Sequence, residues 1–149
     1  TRAFLMMLPK VDNFRLSLRR HDTPSNISWH LETVIDDKTL LHLISNVNHL
    51  RLGKVHCSER GLLSAFEVVC HSAEYKFFLC AAPKSTVQKL YSMSNLKFAM
   101  GPDEIGKRYL FDHSTRSILW ESPDDDVSWI YIGKLDSENK LIQKTVNWQ

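Results

Sequence analysis

Glycine and cysteine are scarce in this chain, and each shortage removes a class of function. The 149 residues hold five glycines, none in a GxGxxG, GxxxxGKS or GxxxxGKT arrangement, so the usual backbone cradles for nucleotide phosphates are missing. HExxH, GxSxG and paired CxxC motifs are absent too, which leaves metalloprotease, serine-hydrolase and zinc-ribbon chemistry without a signature. The three cysteines, Cys57, Cys70 and Cys80, cannot all pair within the chain, and their spacing fits no disulfide scaffold. A reducing, intracellular compartment, cytoplasmic or nuclear, is the expectation. No apolar run approaches the roughly 18 residues of a membrane-spanning helix. An excess of charge of either sign is missing as well: a net charge of +2 with 24% charged residues gives no general pull toward nucleic acid or a membrane surface.

What is present is a chain that is 43% hydrophobic, long enough to fill one core and too short for two comfortable ones. A single domain over residues 1–149 is expected. Because it begins at Thr1, the chain reads as a piece of a larger protein.

Ala3–Leu8 is an unbroken apolar run closed by Pro9, the pattern of a strand buried on both faces. Phe14, Leu16 and Leu18 alternate with Arg15, Ser17 and Arg19, as in a half-buried strand, and a further strand is expected around Ile27, Trp29, Leu31 and Thr33. Asp36 and Asp37 are good caps for a helix Lys38–Leu50, in which Leu40, Leu43, Ile44, Val47 and Leu50 recur at helical spacing. Arg51–Gly61 reads as a polar connection. Leu62–Cys70 and Tyr75–Ala82 read as a hairpin closed by Pro83. Ser85-Thr86-Val87-Gln88 has the form of a capping box, which predicts a short second helix, and Leu96–Met100 reads as another strand. Val127–Leu135 and Lys140–Trp148 predict a last hairpin. The expected fold is therefore α+β, with a mostly antiparallel sheet and two helices, ferredoxin-like in part. Phe4, Leu16, Leu40, Ile44, Val68, Phe78, Leu90 and Ile130 are its expected core.

One stretch has an order of residues that points to a purpose. In Gly106–Pro123, Arg108–Asp112 and Ser117–Glu121 are apolar and aromatic runs, and Asp112-His113-Ser114-Thr115 between them is turn chemistry. Alternation puts Tyr109 and Phe111 on one face of their strand, and Ile118 and Trp120 on one face of theirs. If the two pairs share a side, they form an aromatic shelf with His113 at its rim.

Gly106, Lys107, Tyr109, Asp112, His113, Thr115, Arg116, Trp120 and Pro123 give this stretch an order that resembles the second and third strands of WW domains, small modules that bind proline-rich peptides. The resemblance covers about a fifth of the chain. It departs from the family at Phe98, where the first signature tryptophan would stand, at Leu96-Lys97 and at Ile118. It implies a peptide-binding surface at Tyr109, Phe111, His113 and Trp120. The competing expectation is a core hairpin in which Trp120 is buried.

Other constellations are weaker. Arg15, Arg19, Arg20, Arg51, Lys54 and Arg60 would form a basic patch for nucleic acid if they converged on one face with aromatics available for stacking. Along the first strands, however, arginines and aromatics alternate and so point apart. His56, Cys57, Cys70, His71 and Cys80 approach a zinc ligand set, but alternation on a strand would send Cys70 and His71 to opposite faces. No metal or cofactor is expected. The reading is a non-catalytic module that binds a protein or peptide, with nucleic-acid binding second and an unrecognised hydrolase third.

Overall fold

A computed structural model describes residues 6, 10–16, 35–93, 99–102 and 108–142, with 11–16 and 99–102 described by backbone alone. The elements run β1 (Val11–Leu16), α1 (Asp37–Asn46), β2 (Val47–Lys54), α2 (Glu59–His71), β3 (Phe77–Pro83), α3 (Lys84–Tyr91), β4 (Ala99–Pro102), β5 (Arg108–Asp112), β6 (Ser117–Pro123) and β7 (Val127–Lys134). The seven strands form one sheet in the order β1-β2-β3-β7-β6-β5-β4. The pairings β1–β2 and β2–β3 are parallel and the remaining ones antiparallel. The class is α+β with a mixed, mostly antiparallel sheet, and three helices rather than two among the described residues.

The helices gather on one face. Helix α1 packs on β2 and α2, α2 reaches across to β6 and β7, and α3 lies on β3 and β7. Leu40, Leu43 and Ile44 of α1 and Leu62, Ala65, Phe66 and Val69 of α2 meet Leu50, Phe78, Cys80, Leu119, Ile130 and Ile132 of the sheet in a single apolar cluster. Of the expected core, Leu40, Ile44, Phe78, Leu90 and Ile130 are buried, whereas Val68 packs against the cluster half-buried. Phe4 and the Leu16 side chain lie outside the described residues.

The additional helix, α2, is where the expected hairpin of Leu62–Cys70 and Tyr75–Ala82 fails. Leu62–Cys70 is helical, capped by Ser58, whose hydroxyl accepts from the Gly61 N–H at 3.2 Å. Leu62, Ala65, Phe66, Val69 and Cys70 stand at helical spacing and are its buried residues. A parallel β2–β3 pair needs a crossover connection, and α2 supplies it. The ferredoxin-like expectation rested on that hairpin and loses its basis.

Other boundaries move. Asp36 caps α1 as expected, accepting from the Thr39 N–H at 3.0 Å, but the helix ends at Asn46 and the chain turns directly into β2. The strand runs on through Arg51, where a polar connection was expected, because Leu50 and Leu52 alternate with Arg51 and Gly53. Helix α3 starts at Lys84 with Pro83 at its N-cap and no side-chain cap bond, so the capping box at Ser85 does not form. The last expected strand, Lys140–Trp148, is described only to Ile142, where Leu135 and Leu141 form one bridge. Beyond Met6, which is helical, Ala3–Leu8 and the expected strand near Trp29 lie outside the described residues. No helix among the described residues is long and apolar enough to cross a membrane.

Candidate functional site

Strand register builds the site on the sheet face opposite the helices. Tyr109 pairs with Trp120 and Phe111 with Ile118 across β5 and β6, so Tyr109, Phe111, Ile118 and Trp120 share a side of the hairpin. The row continues beyond it. Trp120 pairs with Tyr131, Tyr131 with Leu79, Leu79 with Arg51, and Arg51 with Arg15. A neighbouring row adds Trp129 opposite Ser122 and Ala81. Tyr109, Phe111, Ile118, Trp120, Trp129 and Tyr131 are all half-buried, as expected for large apolar side chains on a sheet face that solvent reaches.

The rings constrain what can bind. Trp120 and Tyr131 stack in parallel, with centroids 4.8 Å apart and planes 6° apart. That is contact distance for aromatic rings, so no third ring fits between them. Trp120 is therefore neither an open slot nor a fully buried core residue. Phe77, in the next row, is buried and carries the Arg51 guanidinium over its ring at 5.8 Å, a cation–π arrangement.

The hairpin turn is held by its own polar side chains. The Asp112 carboxylate accepts from the Thr115 hydroxyl at 2.6 Å and from the Ser114 hydroxyl at 3.0 Å. The Thr115 bond is the chief cause that holds Asp112 below the ordinary carboxylate pKa. Arg116 takes the left-handed conformation, φ 57°, which closes the turn at some conformational cost. Its guanidinium donates to the Asp136 carbonyl at 3.0 Å and to Asn139, stitching the turn to the loop after β7. His113 is exposed at the rim and meets Phe111 edge-on at 4.8 Å.

The described members of the basic patch do not gather. Arg51 belongs to the aromatic row, Lys54 is exposed at the end of β2, and Arg60 is exposed on α2 in the helical layer. The Arg15 backbone stands in register with Arg51, while Arg19 and Arg20 lie outside the described residues, as do Gly106, Lys107 and Phe98 of the WW-like stretch. Arg51 lies outside that first-strand expectation, whose Phe14 and Trp29 side chains are beyond the described residues; pairing across strands joins it to aromatics that alternation along one strand would not bring together.

Behind the hairpin, on the helical face, lies a polar cluster the sequence did not suggest. Glu121 is buried at 2% exposure, accepts from Arg108 Nε at 2.8 Å and pairs with the same guanidinium at 2.7 Å. The Ser128 hydroxyl donates to its second oxygen. Arg108 lies over the Tyr91 ring at 4.6 Å, locking the end of α3 to the sheet. Burial, and then the Glu121 charge, raise the Tyr91 phenol above its ordinary pKa. Both Glu121 oxygens are engaged, so the cluster acts as a brace.

Cys57, Cys70 and Cys80 are free and buried. Burial raises all three thiol pKa values, Cys57 to about 12, which suppresses the reactive thiolate. Among the described residues no group of three His, Cys, Asp or Glu side chains is placed to hold a metal ion. No protein-family model matches the chain, and neither a curated protein nor a solved structure matches it.

Proposed function

We propose that this chain is a non-catalytic protein-interaction module of a larger protein or assembly, and that its contact surface is the aromatic face of the sheet. One observation carries the reading: Tyr109, Phe111, Trp120, Trp129 and Tyr131 are half-exposed on one face, and no aspartate or glutamate occupies their register rows. Interface cores are depleted in charge and enriched in aromatics and arginine, and Trp, Tyr and Arg dominate binding energy. The WW-like order of Tyr109, His113 and Trp120 supports a proline-rich or otherwise extended peptide as the ligand. Three free, buried thiols suit an intracellular location.

A second reading has an observation of its own. Arg51 shares the row of Trp120 and Tyr131, and basic side chains beside exposed aromatics also suit single-stranded nucleic acid. Anisotropy titrations of a fluorescein-labelled proline-rich peptide and a labelled oligothymidylate, each at 50 and 200 mM salt, separate the two. The protein reading expects peptide binding that changes little with salt and is lost in Trp120→Ala. Oligonucleotide binding that collapses with salt would replace it with the second reading, because phosphate contacts release counterions.

A further inference from the structure

We propose, resting on the reading just given, that Leu135–Ile142 is a strap that fills one end of the aromatic face in cis, and that the ligand is an extended peptide whose aliphatic side chain takes the seat of Leu141. The seat lies on the sheet face opposite the helices. Gly133 pairs with Ile118 and Tyr131 with Trp120, so all four positions share that face. A Cβ at Gly133 would lie 2.6 Å from Leu141 Cδ1 and 3.6 Å from the Phe77 ring; the missing side chain is the room that Leu141 occupies. Phe77 and Gly133 are buried there, as is His49, whose ring lies 6.4 Å from Phe77. Two residues back along β7 the face opens at Tyr131, half-buried like its partner Trp120.

The strap is firm in itself and lightly held to the sheet. The Asp136 carboxylate accepts from the Glu138 N–H at 2.8 Å and from the Lys140 N–H at 2.9 Å, while the Asp136 N–H donates to the Lys140 carbonyl at 2.7 Å. That turn delivers Leu141 to its seat. Beyond it, the pairing with β7 is the Leu135–Leu141 bridge and one bond from the Ile142 N–H to the Lys134 carbonyl, at 2.7 Å. From the Phe78–Ile132 pair onward β3 holds the same edge of β7. Along a strand two residues advance about 7 Å, a length that two or three residues of extended peptide cover. A peptide lying over β6 and β7 beside Tyr131 therefore meets the strap. It gains the Phe77 wall and the Lys134 carbonyl by displacing Leu141, and it leaves the Trp120–Tyr131 stack closed.

Anisotropy tests this with a fluorescein-labelled peptide copying residues 138–146 and with the same peptide carrying serine in place of its leucine. Leu141→Ala, checked for an unchanged circular dichroism spectrum, should bind the leucine peptide about tenfold more tightly than wild type, a ratio set by the fraction of wild-type molecules whose seat is open. The serine peptide should gain nothing. Gly133→Ala fills the seat with its own methyl, so adding it to Leu141→Ala should cancel the gain. A second readout needs no variant: in wild type, saturating leucine peptide should speed amide hydrogen exchange at Ile142, because its N–H leaves the Lys134 carbonyl. If Leu141→Ala does not fold, that exchange decides. Equal affinity of wild type and Leu141→Ala, a gain that survives Gly133→Ala, or unchanged Ile142 exchange overturns the strap and leaves the aromatic contact surface standing. Failure of both this peptide and the proline-rich one to bind overturns both. Dimerisation in light scattering that Leu141→Ala abolishes would put a second copy's leucine in the seat and overturn the cis assignment.

Discussion

The Asp37 carboxylate, carried by α1, closes the N-terminus of α2: it accepts from the Ser58 N–H at 2.7 Å and from the Ser58 hydroxyl at 2.5 Å. The two helices approach so closely there that a Cβ at Gly61 would overlap Asp37 Oδ1.

Gly61→Ala should therefore push the Asp37 carboxylate off Ser58 and destabilise the protein by about 1–3 kcal/mol. Asp37→Ala should lose a similar amount through the charge-assisted bonds, about 1.5–3 kcal/mol. In urea unfolding the double variant should lose less than the sum, because both changes disrupt one contact. Strict additivity would mean that the cap and the close approach are independent.

Phe66 and Phe78 are fully buried, on α2 and β3 respectively. Each replaced by alanine should lose about 3–5 kcal/mol, and Ile44→Ala about 2–5 kcal/mol, from lost transfer energy and the cavity left behind. Val68 is half-buried, so Val68→Ala should fall clearly below these in the same urea series.

The buried brace predicts an asymmetry. Arg108→Ala strands the Glu121 carboxylate, which is 3% exposed, and should destabilise by about 3–5 kcal/mol. Glu121→Gln leaves a guanidinium that is 38% exposed and can hydrate, and should lose about 1–2 kcal/mol. The reverse order in thermal unfolding would show that Glu121 is satisfied without Arg108.

Thiol burial predicts the alkaline limb of stability. The Cys57 pKa is raised from 9.0 to about 12, by burial first and then by the Asp37 charge. Its contribution is fully present below pH 9 and is lost as pH rises from 9 through 12, where only the unfolded chain releases the proton. Tyr91, Cys70 and Cys80 act in the same direction. Lys76, lowered by burial, acts oppositely, adding stability as pH climbs toward 10.5. Cys57→Ala should flatten the decline between pH 9 and 12 in urea midpoints. At pH 8 native protein should react with a thiol-specific disulfide reagent only at the rate of unfolding.

Local pattern was enough wherever the competing alternative was local. The alternation of Tyr109 with Phe111 and of Ile118 with Trp120, around a turn rich in Asp, Ser and Thr, identified the β5–β6 hairpin, and Asp36 marked the start of α1. These depend on neighbours within a few residues, and the chain carries that information directly.

Where two periods fit the same residues, the sequence determined the apolar content and the tertiary structure decided the conformation. Leu62–Cys70 offers apolar residues at helical spacing alongside β-branched Val68 and Val69, and its place as the crossover between parallel strands makes it a helix. Val47 and Leu50 continue the apolar stripe of α1, yet the helix stops before them. Lys76, buried and 29 residues along the chain, donates to the Val47 carbonyl at 3.2 Å and to Asn48 at 3.1 Å, holding the start of β2 beside β3. The candidate site shows the same division. Sequence supplied the rings of one hairpin, and the short β6–β7 turn set Tyr131 against Trp120, while only the pairing of β7 with β3 and of β3 with β2 put Arg51 in their row, because pairing between strands far apart in the chain is fixed by packing of the opposite face and leaves no local trace.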